Sequence, residues 1–86
     1  MLTLHLRPVR VAMGHEEEGD LVFDGEERLV AVLVRLSDQN AVAPGQWFLE
    51  VGFGFLDGSS HPTFADLNTA QGWMSQRLTR AGQARG

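Results

Sequence analysis

Asp57, Ser59, Ser60 and His61 supply, within five positions, every side-chain type of a serine hydrolase triad. The chemistry would be acyl transfer, with a hydroxyl activated by an imidazole that a carboxylate orients. A working triad needs its nucleophile on a rigid elbow and its partners anchored on separate elements, and the chain has no G-x-S-x-G stretch. Asp57-Gly58 reads as a turn and His61-Pro62 as the approach to a helix, so a connecting loop accounts for all four. His15, Glu16, Glu17, Glu18 and Asp20 form a second cluster, with imidazole and hard oxygen donors for a divalent cation. Their spacing matches neither an EF-hand nor a zinc pattern, and a solvated acidic turn between Gly14 and Asp20 explains them. Cysteine, lysine and tyrosine are absent, which removes three common nucleophiles and acid–base groups. The sequence assigns no catalytic residue, no cofactor-binding residue and no metal ligand, and the reading is non-enzymatic.

Composition narrows the rest. Eighty-six residues, 43% hydrophobic and 21% charged, make a single globular domain over 1–86 with a thin core and no disulfide to staple it. The net charge of −4 opposes a phosphate backbone, and no local basic patch offsets it. The longest apolar run, Leu29 to Val34, is too short to span a bilayer. His5, Arg7 and Arg10 interrupt any signal-peptide core, so a cytoplasmic protein without a membrane partner is expected.

The positioning elements are legible from periodicity. Leu2, Leu4 and Leu6 alternate on even numbers, then Val9, Val11 and Met13 on odd ones. That slip of phase at Arg7-Pro8 predicts a bend or bulge in an edge strand. Leu21-Val-Phe23 and Leu29 to Leu36 flank Asp24-Gly25-Glu26-Glu27, a hairpin signal. Gln46 to Gly54 is the next strand, with Trp47, Leu49, Val51 and Phe53 expected on one face and Phe48 and Glu50 on the other. Leu67, Ala70, Met74, Leu78 and Ala81 recur at helical spacing with Trp73 on their flank, Asp66 as the N-cap and Gly82 as the stop. The expected fold is α+β: a three- or four-stranded antiparallel meander, strands at about 9–13, 21–23, 29–36 and 46–54, under one helix at 67–81. Trp47, Leu49, Val51 and Phe53 are expected to face that helix.

The third strand then poses a problem. Leu29, Ala31 and Leu33 lie on one face, while Val30, Val32, Val34 and Leu36 lie on the other. One helix covers one face. Exposing three or four large aliphatics on the other forfeits about 1.5–3 kcal/mol each. The sequence therefore nominates Val30, Val32, Val34 and Leu36 as an interface, with a second copy of the chain as the simplest cover and a different protein as the other.

Two resemblances complete the reading. Val51-Gly52-Phe53-Gly54-Phe55-Leu56 resembles the central motif of RNA-recognition motif domains, whose two aromatics stack on bases. It implies single-stranded nucleic-acid binding through Phe53 and Phe55, although Val51 stands where the family has Lys or Arg. The same glycines, Gly52, Gly54 and Gly58, miss the dinucleotide spacing by one residue. Across residues 9–80, Leu29 to Leu36, then Trp47 to Gly54, then Phe64-Ala-Asp-Leu with Trp73 resemble small bacterial β-meander-plus-helix proteins of unknown function. That resemblance implies a fold and transfers no site. A small-molecule cleft between subunits near Trp47 and Trp73 is the remaining alternative.

Overall fold

Asp24 organises the first visible turn of the chain. Its Oδ1 accepts the backbone N–H groups of Glu26 and Arg28, both at 2.9 Å, and its Oδ2 accepts from Arg28 Nε at 2.9 Å. The hydrogen bond from the Arg28 backbone, foremost among these, holds the carboxyl below its ordinary pKa. Glu27 takes the left-handed position of this turn, φ 63°, where glycine is the usual occupant. The turn joins the second and third of five antiparallel strands in a computed structural model that describes residues 3–13, 16–58 and 61–84. These are β1 (His5–Met13), β2 (Glu16–Phe23), β3 (Leu29–Arg35), β4 (Trp47–Gly52) and β5 (Thr63–Phe64), followed by helix α1 (Leu67–Ala84). Strand order follows chain order, β1-β2-β3-β4-β5.

The fold is α+β, with five strands where three or four were expected. The extra strand is the pair Thr63–Phe64, too short to carry a period, which pairs with Phe48 and Trp47. The first two strands are also longer than expected. Residues 16–20, read as an acidic turn, belong to β2: Glu16, Glu18, Gly19 and Asp20 pair with β1, and Gly19 and Asp20 pair with β3 as well. The phase slip at Arg7-Pro8 produces no bulge there. Pairing with β2 is regular from His5↔Phe23 to Arg10↔Glu18, and the irregularity falls between Arg10 and Met13. The slip instead divides β1 between two layers: Leu4 and Leu6 pack on the helix-side core, whereas Val9 and Val11 lie beside Gly19 on the opposite face.

Helix α1 covers one face of the sheet. Asp66 caps it, its Oδ1 accepting the Thr69 N–H at 2.7 Å, and that bond holds its carboxyl below the usual range. Ala70 and Met74 are sealed against Val22, Ala31, Leu33, Leu49 and Phe64, with Leu67, Trp73 and Leu78 closing the margin. Trp73 meets Phe64 at 5.4 Å between ring centroids, and the Arg77 guanidinium lies 4.2 Å over Trp73. The helix runs through Gly82 to Ala84, past the stop expected at 81. A single helical glycine costs only about 1 kcal/mol relative to alanine, too little to end a helix.

Two β-bulges decide which side chains reach this core. Val22 pairs with Ala31 and Phe23 with Leu29, leaving Val30 unpaired; Val32 pairs with Val51 and Leu33 with Leu49, leaving Glu50 unpaired. The second bulge reverses the phase of β4 beyond Leu49. Trp47 and Leu49 face the helix as expected, whereas Val51 and Phe53, assigned to the same face, remain 37% and 45% exposed. The vacated position is Gly52, and Leu56 fills it from the 3-10 turn Gly54–Leu56. A Cβ at Gly52 would overlap the Leu56 carbonyl.

Candidate functional site

The face of the sheet turned away from α1 is the candidate site. The row Arg7–Leu21–Val32–Val51 crosses it from β1 to β4 on consecutive pairings, and the row Val9–Gly19–Val34–Phe48 runs beside it. Arg7 lays its guanidinium over the Phe23 ring, 5.6 Å from the centroid, which places both on this face. Leu21, Phe23, Val32, Leu36 and Phe48 are all only partly buried.

The connection 37–45 is shaped to sit on one end of this surface. Asn40 Oδ1 accepts the N–H groups of Val42 at 3.0 Å and Ala43 at 2.8 Å, folding the loop into a tight cap. Gly45 closes it with φ 71°, and Arg35 pairs with Asp38 at 3.2 Å across its base. Ala43 is buried, and Val34 is sealed to 1% exposure beside it. Val42 points outward and is 92% exposed. Between loop and sheet lies a cavity of about 360 Å³, its floor formed by Val34, Leu36 and Phe48 and its rim by Glu50 and Thr63.

The four nominated interface residues are therefore distributed unevenly. Val30 leaves the alternation at the first bulge and joins the helix-side cluster, and Val34 lies beneath the loop. Val32 and Leu36 remain partly exposed on the open face. Leu21, Phe23, Phe48, Val51 and Arg7 stand with them. Period-two spacing within β2 could have found Leu21 and Phe23. Val51 carried no signal, because its face depends on a bulge.

Of the two clusters with chemical potential, only some members fall among the described residues. His61 Nδ1–H donates to the Leu49 carbonyl at 2.9 Å and its ring stacks on Phe48 at 5.8 Å, pinning the incoming segment of β5 to β4. Asp57 is exposed, and Ser59 and Ser60 lie outside the described residues. Gly14 and His15 also lie outside them. Glu18 is exposed, while Asp20 is buried on the helix side opposite Pro8 and Leu33. Burial, with a smaller push from Glu18, raises the Asp20 carboxyl above its ordinary value. Among the described residues no three His, Asp or Glu side chains converge to hold a metal ion. Phe53 follows the end of β4 and residue 55 falls in the 3-10 turn, so the two do not share a strand. Trp47 and Trp73 belong to the helix-side margin around Phe64.

Among the described residues no helix is long and apolar enough to cross a membrane. Comparison with protein-family models, curated proteins and solved structures finds no match for the chain. The fold and the open face define a five-stranded antiparallel meander with one C-terminal helix and one apolar face left uncovered.

Proposed function

We propose that the protein is a non-enzymatic binding module that acts by associating with itself through the open face of its sheet. The observation that carries this reading is the contiguous set Leu21, Phe23, Val32, Leu36 and Phe48, held partly exposed on the side that α1 does not cover. A thin core gains substantially from removing such side chains from water, at about 25 cal/mol per Å² of apolar surface. The lack of cysteine suits a reducing, cytoplasmic setting.

Light scattering from micromolar to near-millimolar protein tests it. The wild-type chain should have the mass of a dimer. The Val32→Asp variant should be monomeric and keep its helical circular dichroism, because an unpaired carboxylate in an apolar contact is strongly unfavourable. A monomeric wild type, or a Val32→Asp chain that dimerises as tightly, would refute the reading.

A further inference from the structure

We propose a specific geometry for that association: two copies pack face to face across a two-fold axis that runs parallel to the strands along the seam between β2 and β3, with Arg7 of each copy against Glu50 of the other. This rests on the reading of the open face as a self-association surface.

The charges point to it first. The open face carries Arg7 toward one edge, apolar side chains in the middle and Glu50 toward the other edge, with Glu27 lining the same hollow as Arg7. Arg7 stands on β1 and Glu50 on β4, with Leu21 and Val32 between them. Arg7 is exposed, and Glu50 borders the groove floored by Val34 and Phe48. Among the described residues neither makes an ion pair within its own chain. Three strand spacings separate them, roughly 14 Å, beyond the Debye length at physiological salt. A two-fold along the β2–β3 seam lays β1 over the second copy's β4, and β2 over its β3. Arg7 then meets the Glu50–Val51 bulge, and Leu21 meets Val32. Symmetry repeats both contacts. An axis perpendicular to the strands would reverse the rows and set the hairpin at Asp24 over the 37–45 loop instead.

Shape agrees with charge. The loop 37–45 stands above β3 and β4, so the same rotation carries it over β2 and β1 of the other copy. Val42, 92% exposed and held outward by Asn40, then comes down on the second copy's Val9 and Val11. Gly19 lets those two valines lie low, with Val11 Cγ1 only 3.1 Å from where a Cβ would stand. The two loops pass side by side. Aligned sheets of this kind pack about 10 Å apart with strands within roughly 30°.

The test is a charge swap read by sedimentation equilibrium and native mass spectrometry. Arg7→Glu alone and Glu50→Arg alone each place two like-charge pairs in the homodimer, and each should weaken dimerisation by at least about tenfold. An equimolar mixture of the two variants places two opposite-charge pairs in the mixed dimer, and should recover it near wild-type affinity. The double variant R7E/E50R should recover as a homodimer. Both positions are at the surface, and circular dichroism confirms that each variant is folded. A dimeric wild type whose single variants associate unimpaired, or whose mixture fails to recover, overturns this geometry and leaves self-association standing. A wild type that is monomeric throughout overturns both.

Discussion

On the helix side of the sheet, Leu33, Leu49 and Met74 are sealed to 1% exposure or less. On the other side, Val51 and Phe53 keep 37% and 45% of their surface in water. The same strands serve both faces, with similar residue types, so hydrophobicity is not what separates them. The helix side is closed by an element of this chain, and its packing is complete down to the 3-10 turn that seats Leu56 on Gly52. The open side has a partial lid, the 37–45 loop over Val34, and a charged rim. A buried face and an open face can thus be told apart by what closes them.

Substitutions that load the two faces unequally should break that contrast most visibly. Met74→Ala leaves a cavity under the helix and should cost about 2–5 kcal/mol in chemical unfolding. Val51→Ala, at dilutions where the chain is monomeric, should cost only about 0.5–1 kcal/mol. Equal losses would mean that the open face is as tightly packed as the closed one.

Glycine substitutions should sharpen the same division. Gly52→Ala must displace the Leu56 backbone and should destabilise by about 1–3 kcal/mol. Gly72→Ala has open space around it on the outer surface of α1 and should stabilise by up to ~1 kcal/mol. Thermal unfolding of the pair reads both signs.

The smallest effect is a polar flaw on the closed side. Asp20 is 5% exposed and its carboxyl is raised by burial, so the folded state favours its protonated form. Its contribution is then most favourable below the ordinary value of 3.8, and is lost as pH rises through the raised value. Asp20→Asn should raise the melting temperature at pH 7 and leave it unchanged in acid. A variant that melts lower at pH 7 would show that the carboxylate is stabilised by its surroundings.

How far the candidate site could be read in advance follows from these residues. Val32 and Leu36 were visible on alternation alone, and so was the existence of a second apolar face. Val30 and Val34 were visible as apolar but not as covered. Glu50 and Arg7 gave no signal, since a charge on a strand is ordinarily a solvated one. Their relation across the sheet exists only once β1 and β4 are in register with the strands between.

Local sequence was enough to mark four strands and the helix, but not the full length of β1 and β2, nor β5 or the 3-10 turn. Apolar spacing of two marked the strands, spacing of three and four marked α1, and Asp24 and Asp66 announced the turn and the cap through bonds to their own neighbours. Tertiary structure decided which face each residue serves. Bulges at Val30 and Glu50 arise from pairing with partners on other strands, and one unpaired residue moves every later side chain to the opposite face. The burial of Asp20 and the folding of residues 37–45 over Val34 have the same origin. They depend on contacts between segments distant in the chain, for which a local period carries no information.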